Sequence, residues 1–171
     1  DIIKSAAIAR GTFYLYFSSK RALFEEIIDF LVIKIQRCIR TVRMSVDAPS
    51  ARQQLLANIE AVVALFDQNR ALLSILLEGA VGLDKGFADK LAGFYAQIVD
   101  TIERSLKRGQ TMGLVRACDT HIAALAVLGS LKEVLHDTLR DTSAEVDTHR
   151  LAREILDIFS VGVLADGVSI P

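Results

Sequence analysis

Arg10-Gly11-Thr12-Phe13-Tyr14-Leu15-Tyr16-Phe17-Ser18-Ser19-Lys20 is the stretch that decides the fold. It reads as a short helix, a tight turn and the cap of a longer helix. At the angular step of an α-helix, Phe13 and Phe17 fall on nearly the same side. Gly11 and Leu15 point the opposite way, flanked by Thr12 and Tyr14. One face therefore suits a core. The other is small, flat and hydrogen-bonding, as a surface laid in a DNA groove must be. Arg10 stands at the helix start, where a long side chain reaches forward, and Gly11 lets the backbone approach a duplex closely. Upstream, Asp1 to Ala6 forms the end of a helix with Ile2, Ile3 and Ala6 inward, and Ala7-Ile8-Ala9 fits a three-residue turn. Helix, short turn, short helix is the helix-turn-helix arrangement, whose second helix enters the major groove.

The run DIIKSAAIARGTFYLYFSSKRALFEEII resembles the DNA-binding signature of the tetracycline-repressor (TetR) family of bacterial regulators. The matching residues are Arg10 to Tyr14, Tyr16-Phe17, Ser19-Lys20 and Ala22-Leu23-Phe24. Two positions depart from the family pattern: Ala7 stands where the turn usually carries Gly, and Ala9 where it carries a small hydroxyl residue. Alanine at a turn position that wants φ > 0 costs about 1 kcal/mol, and a lost N-cap hydroxyl costs about as much. A looser turn is expected. The resemblance implies double-stranded DNA with a palindromic operator as a partner. It implies that Arg10, Gly11, Tyr14 and Leu15 face bases while Thr12, Tyr16 and Lys20 anchor phosphates, assisted by the N-terminus of the longer helix. The family has a further helix before these two, and Asp1 falls inside the second. The expectation is that residues precede Asp1 in the parent protein.

The net charge of −1 looks wrong for a DNA binder until it is divided along the chain. Residues 1–43 carry eight Lys or Arg against four Asp or Glu, so the basic end sits on phosphate and an acidic body stands away from it. Half the 171 residues are hydrophobic and only two are proline, which suits a large all-α protein. No run of ~18 apolar, uncharged residues exists, so no membrane span is expected. Cys38 and Cys118 lack metal-ligand spacing, and together with the lack of a secretory signal they point to a reduced, cytoplasmic protein.

Ser19 is a good N-cap, and from Lys20 to about Met44 the residues Leu23, Phe24, Ile27, Ile28, Leu31, Ile35, Cys38, Ile39 and Val42 form a helical stripe. Between Ile27 and Ile33 this helix is apolar nearly all round, so neighbours are expected on several sides. Further helices are expected from Ala51 to about Gln68, Ala71 to Glu78, Lys85 to Gly109, about Thr120 to Arg140 and about Asp147 to Asp166. The Gly-rich loop at 79–86 lacks the Gly-Lys-Ser/Thr ending of a phosphate cradle. The last two helices carry apolar residues on more than one face, which calls for a second partner. Three regions follow: a partial helix-turn-helix domain at 1–19 without its first helix, a connecting helix at 20–44, and a helical ligand-binding and dimerisation domain at 45–171.

Catalysis finds little support. His121, His136 and His149 share no short metal-ligand spacing, and no nucleophile, kinase or dinucleotide motif appears. No enzyme, metal or cofactor is expected. The sequence is read as a homodimeric, ligand-responsive repressor released from its operator by a small hydrophobic effector. Phe66, Phe94, Tyr95 and Ile98 are the candidate pocket residues. Ala123, Val127, Leu131, Ile155, Phe159 and Val163 are the candidate dimer interface. A helical adaptor without DNA binding is the alternative, followed by an enzyme.

Overall fold

Ser19 starts the first long helix in the manner its sequence foretells: its side chain accepts a hydrogen bond from the Ala22 amide at 3.1 Å. The structure, a computed structural model, describes residues 15–78, 85–141, 143 and 145–163, except for the side chains at 20, 72, 75, 77, 78 and 161–163. Its helices are α1 (Lys20–Cys38), α2 (Ala51–Asp67), α3 (Arg70–Glu78), α4 (Lys85–Thr111), α5 (Thr120–Leu139) and α6 (Thr148–Val163). The fold is all-α. Ser50 and Gln53 make a reciprocal capping box at the start of α2. Asp119 caps α5, accepting from the His121 and Ile122 amides. Gly113, at φ 72°, makes the turn after α4 that a side chain would strain.

The helices pack around one apolar core. Ile28, Leu31 and Ile35 of α1 meet Val62, Val63 and Phe66 of α2, Leu91 and Phe94 of α4, Leu135 of α5 and Ile155 of α6. Phe24 sets its edge against Phe87 at 5.3 Å, fixing the head end of α1 to the start of α4. Polar ties cross the surface between helices: Asp29 of α1 with Lys90 of α4 at 2.6 Å, Glu103 of α4 with His121 of α5 at 3.0 Å, Glu60 of α2 with His149 of α6, and Arg52 of α2 with Asp157 of α6.

The first long helix is shorter than the sequence stripe suggests. It ends at Cys38, and Ile39 turns to an extended backbone at φ −89°, ψ 103°. Ile39, Thr41 and Val42 are β-branched and favour that conformation. The backbone groups that leave the helix are then taken over by two amide side chains of α2. Asn58 accepts from the Arg40 amide at 3.0 Å and donates to the Arg40 carbonyl at 2.7 Å. Gln54, one turn away, does the same for Arg43 at 2.9 and 2.8 Å. Residues 39–43 are therefore a strap clamped along α2, each amide standing in for a strand partner. The region read as one connecting helix at 20–44 is a helix to Cys38 followed by this strap.

The all-round cover expected in the middle of α1 is also incomplete. Leu31 is fully buried, whereas Phe30 and Ile33 stand about half exposed, with the Lys34 ammonium 5.1 Å from the centre of the Phe30 ring.

Candidate ligand cavity and DNA-reading end

Two candidate sites lie at opposite ends of α1. At the head end, Leu15 and Tyr16 are helical and 82% and 77% exposed. Side chains of this size gain nothing from water, so their exposure is consistent with a contact surface. Lys20 is the first residue of α1. Arg10, Gly11, Thr12 and Tyr14 lie outside the described residues.

At the body end, helices α1 to α6 all contribute to the wall of a cavity of about 650 Å³. All four candidate pocket residues, Phe66, Phe94, Tyr95 and Ile98, line it. Size and wall suit a small-molecule site: such sites are mainly apolar with a few placed polar groups. The Tyr95 hydroxyl donates to the Leu76 carbonyl at 3.2 Å, and burial pushes its pKa up. The Lys132 ammonium lies 5.6 Å from the centre of the Tyr95 ring.

The cavity also has residues that the sequence reading passed over. Arg40 and Thr41 of the strap line it, with Asn58 of α2 and Thr101, Arg104, Ser105 and Arg108 of α4. A signal for the α4 set was present. Phe94, Ile98, Thr101, Ser105 and Arg108 recur every three or four residues, so one face of α4 turns from apolar to cationic along its length. Arg40 carried no such signal, because its place depends on the clamp by Asn58.

The candidate dimer residues mostly turn inward. Val127, Leu131 and Phe159 line the cavity, and Ile155 is 5% exposed in the core. Ala123 is half-buried, and the Val163 side chain is outside the described residues. A side chain committed to its own subunit's core offers little to a partner. The second apolar face does exist, formed by different residues: Ile122 and Leu125 on α5 and Ile158 on α6, which are 64%, 49% and 70% exposed. Periodicity found two faces on these helices, but could not say which of them the subunit keeps.

Among the described residues no group of three or more His, Cys, Asp or Glu is placed to hold a metal ion, and no helix is long and apolar enough to cross a membrane. Cys38 donates to the Ala61 carbonyl at 3.5 Å, and burial raises its pKa, so the inert thiol is favoured over the reactive thiolate.

The family described as bacterial regulatory proteins of the tetR family matches this chain over residues 1–27. That match covers the helix-turn-helix signature and the first residues of α1. Across its length the chain is similar to an uncharacterised HTH-type transcriptional regulator, YdgC, of Bacillus subtilis (strain 168), at 22% identity over 98% of this chain and 82% of that protein. Its fold is shared with the tetR-family regulator PfmR of Thermus thermophilus (TM-score 0.72, 19% identity, 94% of this chain and 86% of that one). It is shared equally with the regulator FadR of Bacillus subtilis in complex with stearoyl-CoA (TM-score 0.70, 21% identity, 94% and 86%). The shared fold is thus one found in proteins described as transcriptional regulators.

Proposed function

We propose that this chain is a tetR-family regulator, a cytoplasmic homodimeric repressor released from a palindromic operator by a hydrophobic small molecule bound in the body cavity. The observation that carries this reading is the position of the cavity. Its wall includes Ile35 near the end of α1 and Ile39 to Val42 beyond it, on the element that leads back to the DNA-binding signature. A ligand that fits one placement of this element better than another shifts the population of placements by that difference in affinity. A two-fold dimer needs its two reading helices about one DNA turn apart, roughly 34–36 Å. A change of a few Å in that spacing takes the second head out of register.

In this reading Arg10, Gly11, Tyr14 and Leu15 contact bases, and Thr12, Tyr16 and Lys20 contact phosphates. The partner subunit covers the outward face of α5 and α6, at Ile122, Leu125 and Ile158. The stearoyl-CoA complex of the similarly folded FadR supports a lipid-like effector, alongside drug-like compounds and lipid precursors. Selection of binding sites from random duplex DNA with the full-length protein tests the reading. A palindromic site bound with steep salt dependence is expected. Failure to bind any duplex in that selection removes the repressor reading and leaves a helical adaptor.

A further inference from the structure

We propose that the cavity takes an anionic amphiphile, its charged end held between Arg40 and Arg108 and its chain laid along α4 toward Phe94. This rests on the ligand-released reading above and adds the chemistry of the ligand to it. The wall of α4 from Phe94 to Arg108 spans about 21 Å at the rise of an α-helix. The cavity, of about 650 Å³, is lined along that stretch of α4 by Phe94, Ile98, Thr101, Ser105 and Arg108, so a ligand that reaches both its apolar and its cationic end lies along the helix.

Polarity changes along the same axis. Around Phe94 the wall is made by Phe66, Leu73, Leu76 and Leu135, all buried. At the other end Arg40, Thr41, Arg104, Ser105 and Arg108 line the cavity and are exposed, so the space meets solvent there. Among the described residues four cationic side chains line the cavity, Arg40, Arg104, Arg108 and Lys132, and no Asp or Glu does. Arg104 is engaged with Asp100 at 2.8 Å, and Lys132 with the Tyr95 ring. The guanidiniums of Arg40 and Arg108 have no acidic partner among the described residues. Guanidinium forks match carboxylate and phosphate oxygens, and a one-signed cleft with apolar walls concentrates its field on an incoming anion. A neutral lipid leaves both groups unused, and a cationic one is repelled. A carboxylate and the phosphates of an acyl thioester share the chemistry required. Because Arg40 is on the clamped strap and Arg108 on α4, the bound anion also ties the end of the DNA-linked element to the body.

The test uses the full-length protein and four probes of one chain length, each below its micelle concentration: tetradecanoate, tetradecanoyl-coenzyme A, tetradecanol and tetradecyltrimethylammonium. Equilibrium binding is expected to favour the two anions over tetradecanol by at least about tenfold, with the ammonium weakest. The tighter of the two anions identifies carboxylate or phosphate as the group recognised. Arg40→Gln combined with Arg108→Gln is expected to bring the anions down to the tetradecanol level while the melting temperature without ligand stays unchanged. Tetradecanol binding as tightly as the anions overturns the proposal and leaves an apolar effector site intact. So does selectivity that survives the double substitution, or that is lost with Lys132→Gln instead. Binding by none of the four probes overturns the proposal; if no uncharged drug-like compound binds either, the ligand-released reading falls with it.

Discussion

The two ends of α1 place opposite demands on their residues. At the head end, large side chains are left in water: Leu15 and Tyr16 are exposed, and the helix cap is supplied locally by Ser19. At the body end the chain leaves the helix, and its backbone is held by Asn58 and Gln54 from another element, with Leu31 and Ile35 sealed in the core. The head keeps its chemistry for a partner outside the subunit, while the body builds its own interior and leaves a space in it. In the proposed switch, the helix joining these regions converts what fills the space into where the outer surface points.

The same substitution at the two ends is expected to give the largest contrast. Leu31→Ala leaves a cavity in a packed core and should cost about 2–5 kcal/mol in urea unfolding. Leu15→Ala should stay within about 0.5 kcal/mol in the same assay, and should weaken operator binding instead. Equal stability losses at both positions would erase the distinction between the two ends.

The head can be tested further through its charge. Arg10→Ala is expected to lose about 1–3 kcal/mol of binding and to relax base preference at one operator position. Lys20→Ala should weaken every duplex alike and lower the salt slope by about one. Identical effects from the two changes would leave no separation between base reading and phosphate anchoring.

The body has an inner and an outer apolar face, which substitutions also separate. Ile122→Glu with Ile158→Glu should raise the dimer dissociation constant at least about tenfold, or about 1.4 kcal/mol, measured by sedimentation, with helical content kept. Val127→Glu should instead unfold the subunit or close its cavity, because Val127 lines that cavity. Dimers that survive both outward substitutions would move the interface elsewhere.

A smaller effect is expected from acid. Hydrogen bonds from Lys107 and His121 hold the Glu103 carboxyl below its usual pKa. A depressed carboxylate contributes stability above its ordinary pKa and loses it as pH falls through the lowered value. Glu103→Gln should therefore flatten the stability profile on the acid side of pH 4.5 and change little at neutral pH. An unchanged acid limb would make this tie between α4 and α5 energetically silent.

The sequence showed best what is decided locally. Ser19 marks a helix start because capping needs only neighbours a few residues away. Helical spacing marks Phe94, Tyr95 and Ile98 as inward-facing, and all three line the cavity. The end of α1 was missed, since apolar periodicity continues through Ile39 and Val42 while the clamp comes from Asn58 and Gln54. Which apolar face of α5 and α6 turns inward was likewise not legible. On α5, Ile122 and Val127 are both apolar, and only the packing of α4 and α2 against that helix decides which one faces in.

The central claim is that a molecule in the cavity changes what the head can hold. Its most direct test is operator affinity of the full-length dimer, with and without a ligand shown separately to bind in the cavity. A coupling of about 1–3 kcal/mol is expected, weakening operator binding roughly 5- to 150-fold. Equal affinity in the two conditions would contradict the account: a DNA-binding protein and a cavity would remain, with nothing passing between them.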